Sequence, residues 1–251
     1  MRSKLGQHYL IDSLVINRII ASASITPNER VLEIGTGKGA LTKELCHLGK
    51  SFEGYEVDRD NISDTLLEIV TARETVHLGD AFKKTPRFDV LVSSLPYSRS
   101  TTFIEWISQM EYNRAVVLLQ EDFVKKIMAT PGDRDYRAIS AIAQISSEFR
   151  VLMSVGKRSF SPPPRVNSLM VLVKPKTKLT RTEILKIRRF FSLRRKKVIS
   201  AAAKLGIILH EYGFAGDRRV YSLTPEEVLG ICGERNADTS EKRERQPHKQ
   251  F

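Results

Sequence analysis

The feature that most constrains how this chain folds is a glycine-rich turn between a short apolar run and a helical segment. The run VLEIG at 31–35 is followed by Gly37 and Gly39, and the segment ALTKELCHL then shows helical periodicity up to Gly49. Glycines at a strand-to-helix turn let the backbone pass close to a ligand, beside the unpaired N–H groups of the helix N-terminus. The turn therefore predicts a ligand site, with a bare glycine turn as the alternative.

Short apolar runs and helical segments alternate along the chain on both sides of this turn. Strands are predicted for the runs FEGYEV, TVHL, FDVLVSS, AVVLLQ at 115–120 and VNSLMVLV at 166–173, and helices for NISDTLLEIV and for AISAIAQIS at 138–146. A first helix is expected from Asp12 to Ser24, with Asp12 as its N-cap. This alternation predicts an α/β fold, a Rossmann-like domain whose mixed, mostly parallel sheet carries helices on both faces.

The length of 251 residues fits one large domain with a smaller appendage. We expect the Rossmann-like domain to occupy residues 1–176 and a small, basic α-helical domain to occupy residues 177–233. Residues 234–251 are charged and nearly free of apolar side chains, and this composition predicts a flexible tail. The helical domain rests on three stretches with helical periodicity: Thr180–Phe191, Arg194–Lys204 and Thr224–Ile231.

The positive charge is concentrated in one segment. The chain carries 41 Lys and Arg against 29 Asp and Glu, a formal net charge of +12. Fourteen of the basic residues and a single acid, Glu183, lie between Lys157 and Lys197, so this window alone carries +13. Such a concentration predicts contact with the phosphates of a nucleic acid, with a merely solvated face as the alternative. The run Arg194, Arg195, Lys196, Lys197 ends the window.

Cysteine and histidine usage indicates the compartment and argues against a metal site. The two cysteines, Cys46 and Cys232, are too few for a disulfide framework, which favours a reducing compartment. The N-terminal MRSKLGQHYL lacks the apolar run of a signal peptide, and no stretch approaches a membrane span. We expect a cytoplasmic protein without membrane contact. The five histidines, at 8, 47, 77, 210 and 248, have no ligand spacing, so no metal is expected.

A carboxylate at the end of the next strand suggests what the glycine turn binds. Glu56 follows Gly35 by 21 residues and can accept hydrogen bonds from both hydroxyls of a ribose. This suits S-adenosylmethionine and NAD equally, because Gly35, Gly37 and Ala40 also satisfy the dinucleotide pattern G-x-G-x-x-G/A. A surface acid at a strand end is the remaining interpretation of Glu56.

Two later motifs favour S-adenosylmethionine over NAD as the ligand. Gly79-Asp80-Ala81 follows the third predicted strand, where a carboxylate and a neighbouring N–H can bind an adenine edge. Ser94-Leu95-Pro96-Tyr97 follows the fourth strand and resembles the [D/N/S]-[I/L/P]-P-[Y/F/W] motif of methyltransferases that act on exocyclic amino groups. A nitrogen of this kind is a poor nucleophile, because its lone pair is delocalised into the ring. A side-chain oxygen and a backbone carbonyl that accept its two N–H bonds direct the lone pair at the methyl donor, while the aromatic residue stacks on the extruded base.

Over nearly its whole length the chain resembles the small-subunit ribosomal RNA adenine dimethyltransferases, the KsgA family, and it is similar, less closely, to the Erm ribosomal RNA methyltransferases. The resemblance rests on the order of many short matches rather than on one of them. They are GQHYL at 6–10, EIGTGKGALT at 33–42, EVDRD at 56–60, GDA at 79–81, LPY at 95–97, LLQEDFVKKIMA at 118–129, YRAISAIAQ at 136–144, FSPPPRVNS at 160–168 and FFSLRRKKV at 190–198.

The resemblance implies a role for each matching residue. For S-adenosylmethionine it implies His8 and Leu10 lining the site, Gly35 and Gly37 at the methionine part, Glu56 at the ribose, and Asp80 with Ala81 at the adenine. Ser94, Leu95, Pro96, Tyr97 and Phe160 would surround the target base, although ordinary packing in a Pro-rich loop would also explain Phe160. Arg165 and the run from Arg194 to Lys197 would contact RNA.

The implied activity is methylation of the N6 amino groups of two adjacent adenines in a stem-loop near the 3′ end of small-subunit ribosomal RNA. The expected partner is the immature small ribosomal subunit, bound by a monomer during ribosome biogenesis. One position departs from the family: Ser94 stands where Asn is typical, followed by Ser98 and Arg99. Serine accepts one N–H bond but is shorter. A member that binds RNA as an assembly factor without efficient catalysis therefore stays open, as does a dinucleotide oxidoreductase.

Overall fold

A seven-stranded sheet forms the centre of the molecule. The computed structural model describes residues 7–62, 74–207, 209 and 217–233. The strands are β1 (Tyr9–Leu10), β2 (Arg30–Ile34), β3 (Ser51–Glu56), β4 (Glu74–Leu78), β5 (Val90–Ser94), β6 (Arg114–Gln120), β7 (Ser147–Val155), β8 (Phe160–Ser161) and β9 (Ser168–Pro175). The helices are α1 (Ser13–Ala23), α2 (Thr42–Leu45), α3 (Ser100–Ile107), α4 (Glu121–Ile127), α5 (Ala138–Ser146), α6 (Arg181–Ser192), α7 (Val198–Leu205) and α8 (Pro225–Cys232).

The sheet has the order β4-β3-β2-β5-β6-β9-β7, and β1 pairs separately with β8. Strands β4, β3, β2, β5 and β6 are mutually parallel, whereas β9 runs antiparallel to both β6 and β7. The predicted mixed, mostly parallel sheet is therefore confirmed. The strand order reverses between β2 and β5, and ligands of such sheets bind outside the carboxyl ends of the strands at this point.

Alternating side chains of the central strands divide the core between the two faces of the sheet. On β5, Leu91 packs into one apolar cluster, while Val90 and Val92 pack into the other with Val15 and Ile19 of α1. Helices thus cover both faces, as predicted. Helix α1 begins as expected: Asp12 is its N-cap and accepts hydrogen bonds from the N–H groups of the first turn.

Helices α6, α7 and α8 follow the last strand, and their apolar side chains join the cluster on one face of the sheet. Ile187 and Phe190 of α6 are fully buried there together with Ile142 of α5. Helix α6 starts with a reciprocal cap, in which the Glu183 carboxylate accepts from the Thr180 N–H and the Thr180 hydroxyl accepts from the Glu183 N–H. The division of the chain at residue 176 stays a prediction.

Two predicted helices differ from the structure. Helix α2 covers only four of the nine residues expected, and the chain after it forms a turn in which the Leu48 N–H donates to the Leu45 carbonyl. The run Arg194–Lys197 precedes helix α7 instead of lying in it, because its backbone pairs with residues 218–221, including a bridge between Lys197 and Arg219. The segment 63–70 predicted as helical and the tail 234–251 lie outside the described residues.

Candidate active site

A cavity of about 260 Å³ lies at the carboxyl ends of β2, β3, β4 and β5, where the strand order reverses. The loop after each of these strands contributes one of the sequence motifs, and the segment before β1 closes one side. The predicted site residues that line the cavity are His8, Gly35, Gly37, Glu56, Asp80, Ala81, Ser94, Leu95 and Pro96. Residues separated by up to 88 positions in the sequence are thus brought together as predicted.

The glycine turn after β2 needs its glycines for their conformation. Gly35, Gly37 and Gly39 have φ angles of +76°, +52° and +81°, in the left-handed region that residues with a Cβ rarely adopt. A Cβ on Gly37 would also lie 3.3 Å from the ring of Tyr9. The backbone of this turn therefore forms one wall of the cavity, with no side chain between it and a ligand.

Glu56, at the end of β3, holds the turn in place. Its Oε2 accepts from the Gly37 N–H at 2.7 Å and its Oε1 accepts from the Asp58 N–H at 2.8 Å, and the residue is only 4 % exposed. Each carboxylate oxygen keeps a further lone pair for an external donor. Glu56 is therefore fixed as a bidentate acceptor for a pair of hydroxyls such as those of a ribose.

A second carboxyl group, that of Glu33 on β2, is buried behind the turn. It is 1 % exposed, and its Oε2 accepts from the Thr42 hydroxyl at 2.8 Å. Burial raises the pKa of Glu33 to about 8, so this side chain is mostly protonated at neutral pH. Sequence reasoning did not single out Glu33, because nothing in the apolar run VLEIG distinguishes a buried acid from one on a surface.

Asp80, directly after the third parallel strand, is committed to two protein partners. Its Oδ1 accepts from the Phe82 N–H at 3.0 Å, which caps a short turn of 3₁₀ helix, and its Oδ2 forms an ion pair with Arg99 Nη2 at 2.8 Å. The guanidinium of Arg99 also lies over the ring of Phe82, 4.9 Å from its centroid. Arg99 and Phe82 line the cavity although the sequence assigned neither to it.

The tetrapeptide from Ser94 to Tyr97 packs against the glycine turn. The Cδ atom of Pro96 lies 3.9 Å from the position of a Cβ on Gly35. Ser94 lines the cavity, and its hydroxyl has no hydrogen-bond partner among the residues that the structure describes. The Tyr97 hydroxyl lies 2.7 Å from Ser168 Oγ, and partial burial raises the pKa of Tyr97 above its usual value. Ser94 is therefore free to accept a bond from a ligand.

His8 connects this tetrapeptide to the Pro-rich loop. Its Nδ1 donates to the Pro162 carbonyl at 2.7 Å, and its ring centroid lies 5.7 Å from that of Tyr97. A carbonyl acceptor requires the proton on Nδ1, which leaves Nε2 as the acceptor of the neutral ring. His8 and Tyr97 together form an aromatic edge next to Ser94.

The structure corrects the placement of two predicted site residues. Leu10 and Phe160 are partners in the β1–β8 pair, and both side chains belong to the core cluster that contains Val15 and Ile19. They are 5 % and 3 % exposed, respectively, and neither lines the cavity. Burial of these two apolar side chains in the same cluster as the α1 residues stabilises the fold. Phe160 therefore has no exposed ring face for a base in this structure.

A polar cluster beside the glycine turn was missed at the level of sequence. The Tyr9 hydroxyl lies 2.7 Å from Gln7 Oε1 and 2.8 Å from Asn61 Oδ1, and all three residues line the cavity. One hydroxyl proton serves only one acceptor, so the second contact requires the Asn61 amide to be turned to donate its N–H. The Lys38 ammonium lies over the Tyr9 ring at 4.9 Å. Only the folded chain brings Asn61 to Tyr9.

The basic residues predicted to contact RNA lie mainly around one concave surface. Arg194, Arg195 and Lys196 line it together with Arg137 and Arg188. Burial, with repulsion from Arg137 and Arg195, lowers the pKa of Arg194 from its usual value. We call this surface, defined by these five residues, the basic groove.

Two other predicted RNA contacts lie apart from the basic groove. The Lys197 ammonium pairs with Asp217 at 2.6 Å, and Arg165 is exposed on the Pro-rich loop between β8 and β9. A second concavity, lined by Arg134 and Arg219, adjoins the groove and shares Arg194 and Arg195 with it.

Two negative findings apply to the described residues. Within the ranges given above, no group of three or more His, Cys, Asp and Glu side chains is arranged to hold a metal ion. In the same part of the chain, no helix is both long enough and apolar enough to cross a membrane.

Comparison with known proteins shows the family of the chain. Residues 1–222 match the family described as Ribosomal RNA adenine dimethylase. A curated relative, the probable ribosomal RNA small subunit methyltransferase A of Pyrococcus abyssi, is 36% identical over 241 residues, which cover 91% of this chain and 89% of the relative.

Solved structures share the fold. A dimethyladenosine transferase from Plasmodium falciparum superposes with a TM-score of 0.73 at 25% identity and covers 89% of this chain and 96% of its own. The 23S rRNA methyltransferase ErmE superposes with a TM-score of 0.62 at 21% identity and covers 89% and 97% of the two chains.

Proposed function

The chain belongs to the ribosomal RNA adenine dimethylase family, and from this premise we propose that it dimethylates the N6 amino groups of two adjacent adenines in small-subunit ribosomal RNA. The proposed target is a stem-loop near the 3′ end of that RNA. As a member of this family, the protein is an S-adenosylmethionine-dependent ribosomal RNA adenine methyltransferase, so the dinucleotide oxidoreductase is set aside. The observation that carries the proposal is the position of Ser94, Leu95 and Pro96, which line the ligand cavity with Pro96 next to Gly35.

The cavity fits S-adenosylmethionine by the chemistry of its donors and acceptors. The Glu56 carboxylate is fixed by two backbone N–H groups and suits the two ribose hydroxyls. Asp80 suits the adenine amino group, and the bare backbone of Gly35 and Gly37 suits the methionine arm. When bound, S-adenosylmethionine supplies an electrophilic methyl group. The residues of this chain position the target nitrogen relative to that methyl group.

Ser94 and its neighbours direct the attacking nitrogen. The free Ser94 hydroxyl accepts one N–H bond of the adenine amino group, and a backbone carbonyl of the tetrapeptide accepts the other. These two bonds turn the nitrogen lone pair toward the methyl group and hold it in line. Tyr97, held by Ser168 and next to His8, stacks on the flipped base. The product nitrogen is cationic, so its proton leaves to solvent without a strong protein base.

The basic groove and Arg165 hold the RNA. Arginine guanidinium groups pair with phosphate oxygens and release counterions from the nucleic acid. Lys197 contributes less, because its ammonium is already paired with Asp217. In this proposal residues 1–176 carry the cofactor and the chemistry, residues 177–233 contribute most of the RNA contacts, and residues 234–251 form a charged tail. A monomer acts on the immature small ribosomal subunit, which couples methylation to ribosome biogenesis.

The second candidate is an RNA-binding assembly factor with weak or no catalysis. Ser94 favours it, because a hydroxyl one bond from Cβ reaches less far than the amide oxygen of asparagine. The fold and the basic groove would serve such a factor equally well.

Transfer of a radiolabelled methyl group from S-adenosylmethionine tests the proposal. The substrates are immature small subunits, mature small subunits and large subunits, all isolated from cells that lack the modification. The enzyme predicts label in the RNA of the immature small subunits. The assembly factor predicts binding to these subunits without transfer, and label only in large-subunit RNA would contradict the proposed substrate.

A further inference from the structure

Arg99 is a cation in the cofactor cavity to which the proposed function gives no role. It ends the short 3₁₀ turn that follows the tetrapeptide, and α3 begins at the next residue. Its Nη2 donates to Asp80 Oδ2 at 2.8 Å, and its guanidinium lies over the ring of Phe82. The side chain is 39% exposed, and Arg99 is one of the residues that line the cavity.

The ion pair limits how Asp80 can recognise a ligand. Asp80 Oδ1 already accepts from the Phe82 N–H, and Oδ2 already accepts from Arg99. A carboxylate oxygen has two lone pairs, so each oxygen can accept one further bond. Arg99 has five N–H groups, of which the ion pair uses one. The pair therefore presents an acceptor and a donor side by side.

This arrangement is complementary to one edge of adenine. The 6-amino group of adenine is a donor, and each ring nitrogen beside it is an acceptor. We propose that Asp80 and Arg99 recognise this edge together, with Asp80 accepting from the amino group and Arg99 donating to the neighbouring ring nitrogen. Arg99 is thus a further cofactor-binding residue that sets the preference for an adenine base. The inference rests on the proposed function, since it takes S-adenosylmethionine as the ligand.

The contact with Phe82 supports this role. The ring holds the guanidinium on one face, so fewer conformations of the long Arg99 side chain are lost when a ligand binds. A lysine could keep the charge pair with Asp80, but it lacks the planar fork that serves two acceptors at once. Arg99→Lys therefore keeps the positive charge of the side chain and removes the planar geometry of the guanidinium.

The alternative is a surface ion pair without a function. Exposed ion pairs of this kind contribute little to stability, and many contribute nothing measurable. In that case Arg99 would be replaceable without any effect on ligand preference. The two interpretations differ in binding alone, so no assay of activity is needed.

Titration calorimetry with S-adenosylhomocysteine and with its inosine analogue tests the inference. The analogue has a carbonyl oxygen at position 6 and an N–H at position 1, so its donor and acceptor are exchanged. The intact protein should bind the adenosine compound at least about tenfold more tightly, as expected when paired groups are left unmatched. Arg99→Leu should lose about tenfold in affinity for the adenosine compound and most of the preference, and Arg99→Lys should lose part of both.

Arg150→Leu is the matched control, because Arg150 is exposed on β7 and does not line the cavity. It should leave both affinities unchanged. Unchanged affinity and preference in Arg99→Leu and Arg99→Lys would overturn the inference while leaving the proposed function intact. If the intact protein binds neither compound, the proposed function fails and the inference fails with it. Arg99→Gln, which removes the charge and keeps two amide N–H donors, replaces Arg99→Leu if that variant does not fold.

Discussion

Glu56 links the end of β3 to the glycine turn after β2. Its two oxygens accept from Gly37 and Asp58, so the carboxylate is oriented before any ligand arrives. Preorganisation of this kind lowers the entropy that a ligand loses on binding. One residue therefore shapes the turn and offers the acceptors for a ribose.

Replacement of Glu56 should weaken the binding of S-adenosylmethionine. Glu56→Ala leaves the Gly37 N–H and the ribose hydroxyls without partners, which we expect to cost about 1–3 kcal/mol of binding free energy. Glu56→Gln keeps one oxygen acceptor and should lose less. Titration calorimetry measures both variants, and tighter binding of NAD than of S-adenosylmethionine by the intact protein would contradict the assignment of this cavity.

The proposed mechanism makes the rate of methyl transfer depend on Ser94. If its hydroxyl accepts from the target amino group, Ser94→Ala should lose most of the methyl transfer, while Ser94→Asn should keep or raise it. Removal of a hydrogen bond of about 1–3 kcal/mol corresponds to about 5- to 150-fold in rate. Single-turnover kinetics on immature small subunits measures this, with calorimetry as the control that cofactor binding is unchanged. Equal rates for Ser94→Ala and the intact protein would show that the hydroxyl is not the acceptor.

Some site residues were predictable from sequence and others were not, for a physical reason. Gly35, Glu56, Asp80 and Ser94 could be identified because each lies at the end of a strand or just after it, and parallel strands bring their carboxyl ends to one edge. Arg99 could not, because its role depends on an ion pair with a residue 19 positions away. The same applies to Asn61 and Tyr9, and to the burial of Phe160 opposite Leu10, which depends on strand pairing.

At the level of elements, the strongly apolar strands and helices were predictable and the weaker ones were not. Strands β5 and β6 contain apolar runs at 90–92 and 115–119, and in β2 Glu33 is the acid that interrupts the apolar residues, as expected for strands buried on both faces. Strand β7 was missed, because it lies at the edge of the sheet and a bulge between Val151 and Met153 interrupts its alternation. Helices α3 and α4 were also missed: each is short, with eight and seven residues.

The basic groove at the start of α7 should dominate the salt dependence of RNA binding. Changing Arg194, Arg195 and Lys196 together to alanine should flatten the slope of log affinity against log salt by about 0.7–0.9 for each phosphate that is no longer neutralised. Affinity should fall to a similar extent for different RNA sequences, because pairing with phosphates carries no sequence information. Lys197→Ala is the matched control within the same run, since Lys197 is paired with Asp217. An unchanged slope in the triple variant would mean that the groove is only a solvated surface.

At the scale of the molecule, the apolar cluster is continuous from the sheet to the C-terminal helices. Trp106 of α3 belongs to the same cluster as Phe190 of α6 and Val228 of α8. Two independent folding units would each need a core of their own. Among the described residues, the larger cluster instead spans both of the regions that the sequence divides at residue 176.

Unfolding should therefore occur in one cooperative step. The fluorescence of Trp106, the single tryptophan of the chain, reports on the first region, and far-UV circular dichroism reports on all helices. Denaturant transitions followed by the two signals should coincide. A separate helical transition, at a denaturant concentration where the Trp106 signal is constant, would contradict a shared core and support an independent helical domain.

In the proposed function, the cavity binds the methyl donor and the tetrapeptide positions adenine N6 of small-subunit ribosomal RNA. Methylation requires both. It is tested by mass spectrometry of the nucleosides released from immature small subunits after reaction with the protein and isotope-labelled S-adenosylmethionine. We predict labelled N6,N6-dimethyladenosine, at two residues for each subunit, and none with subunits that already carry the modification. Label in a nucleoside that is not an N6-methylated adenosine would contradict this function. So would the absence of label when the protein binds both S-adenosylmethionine and the subunit.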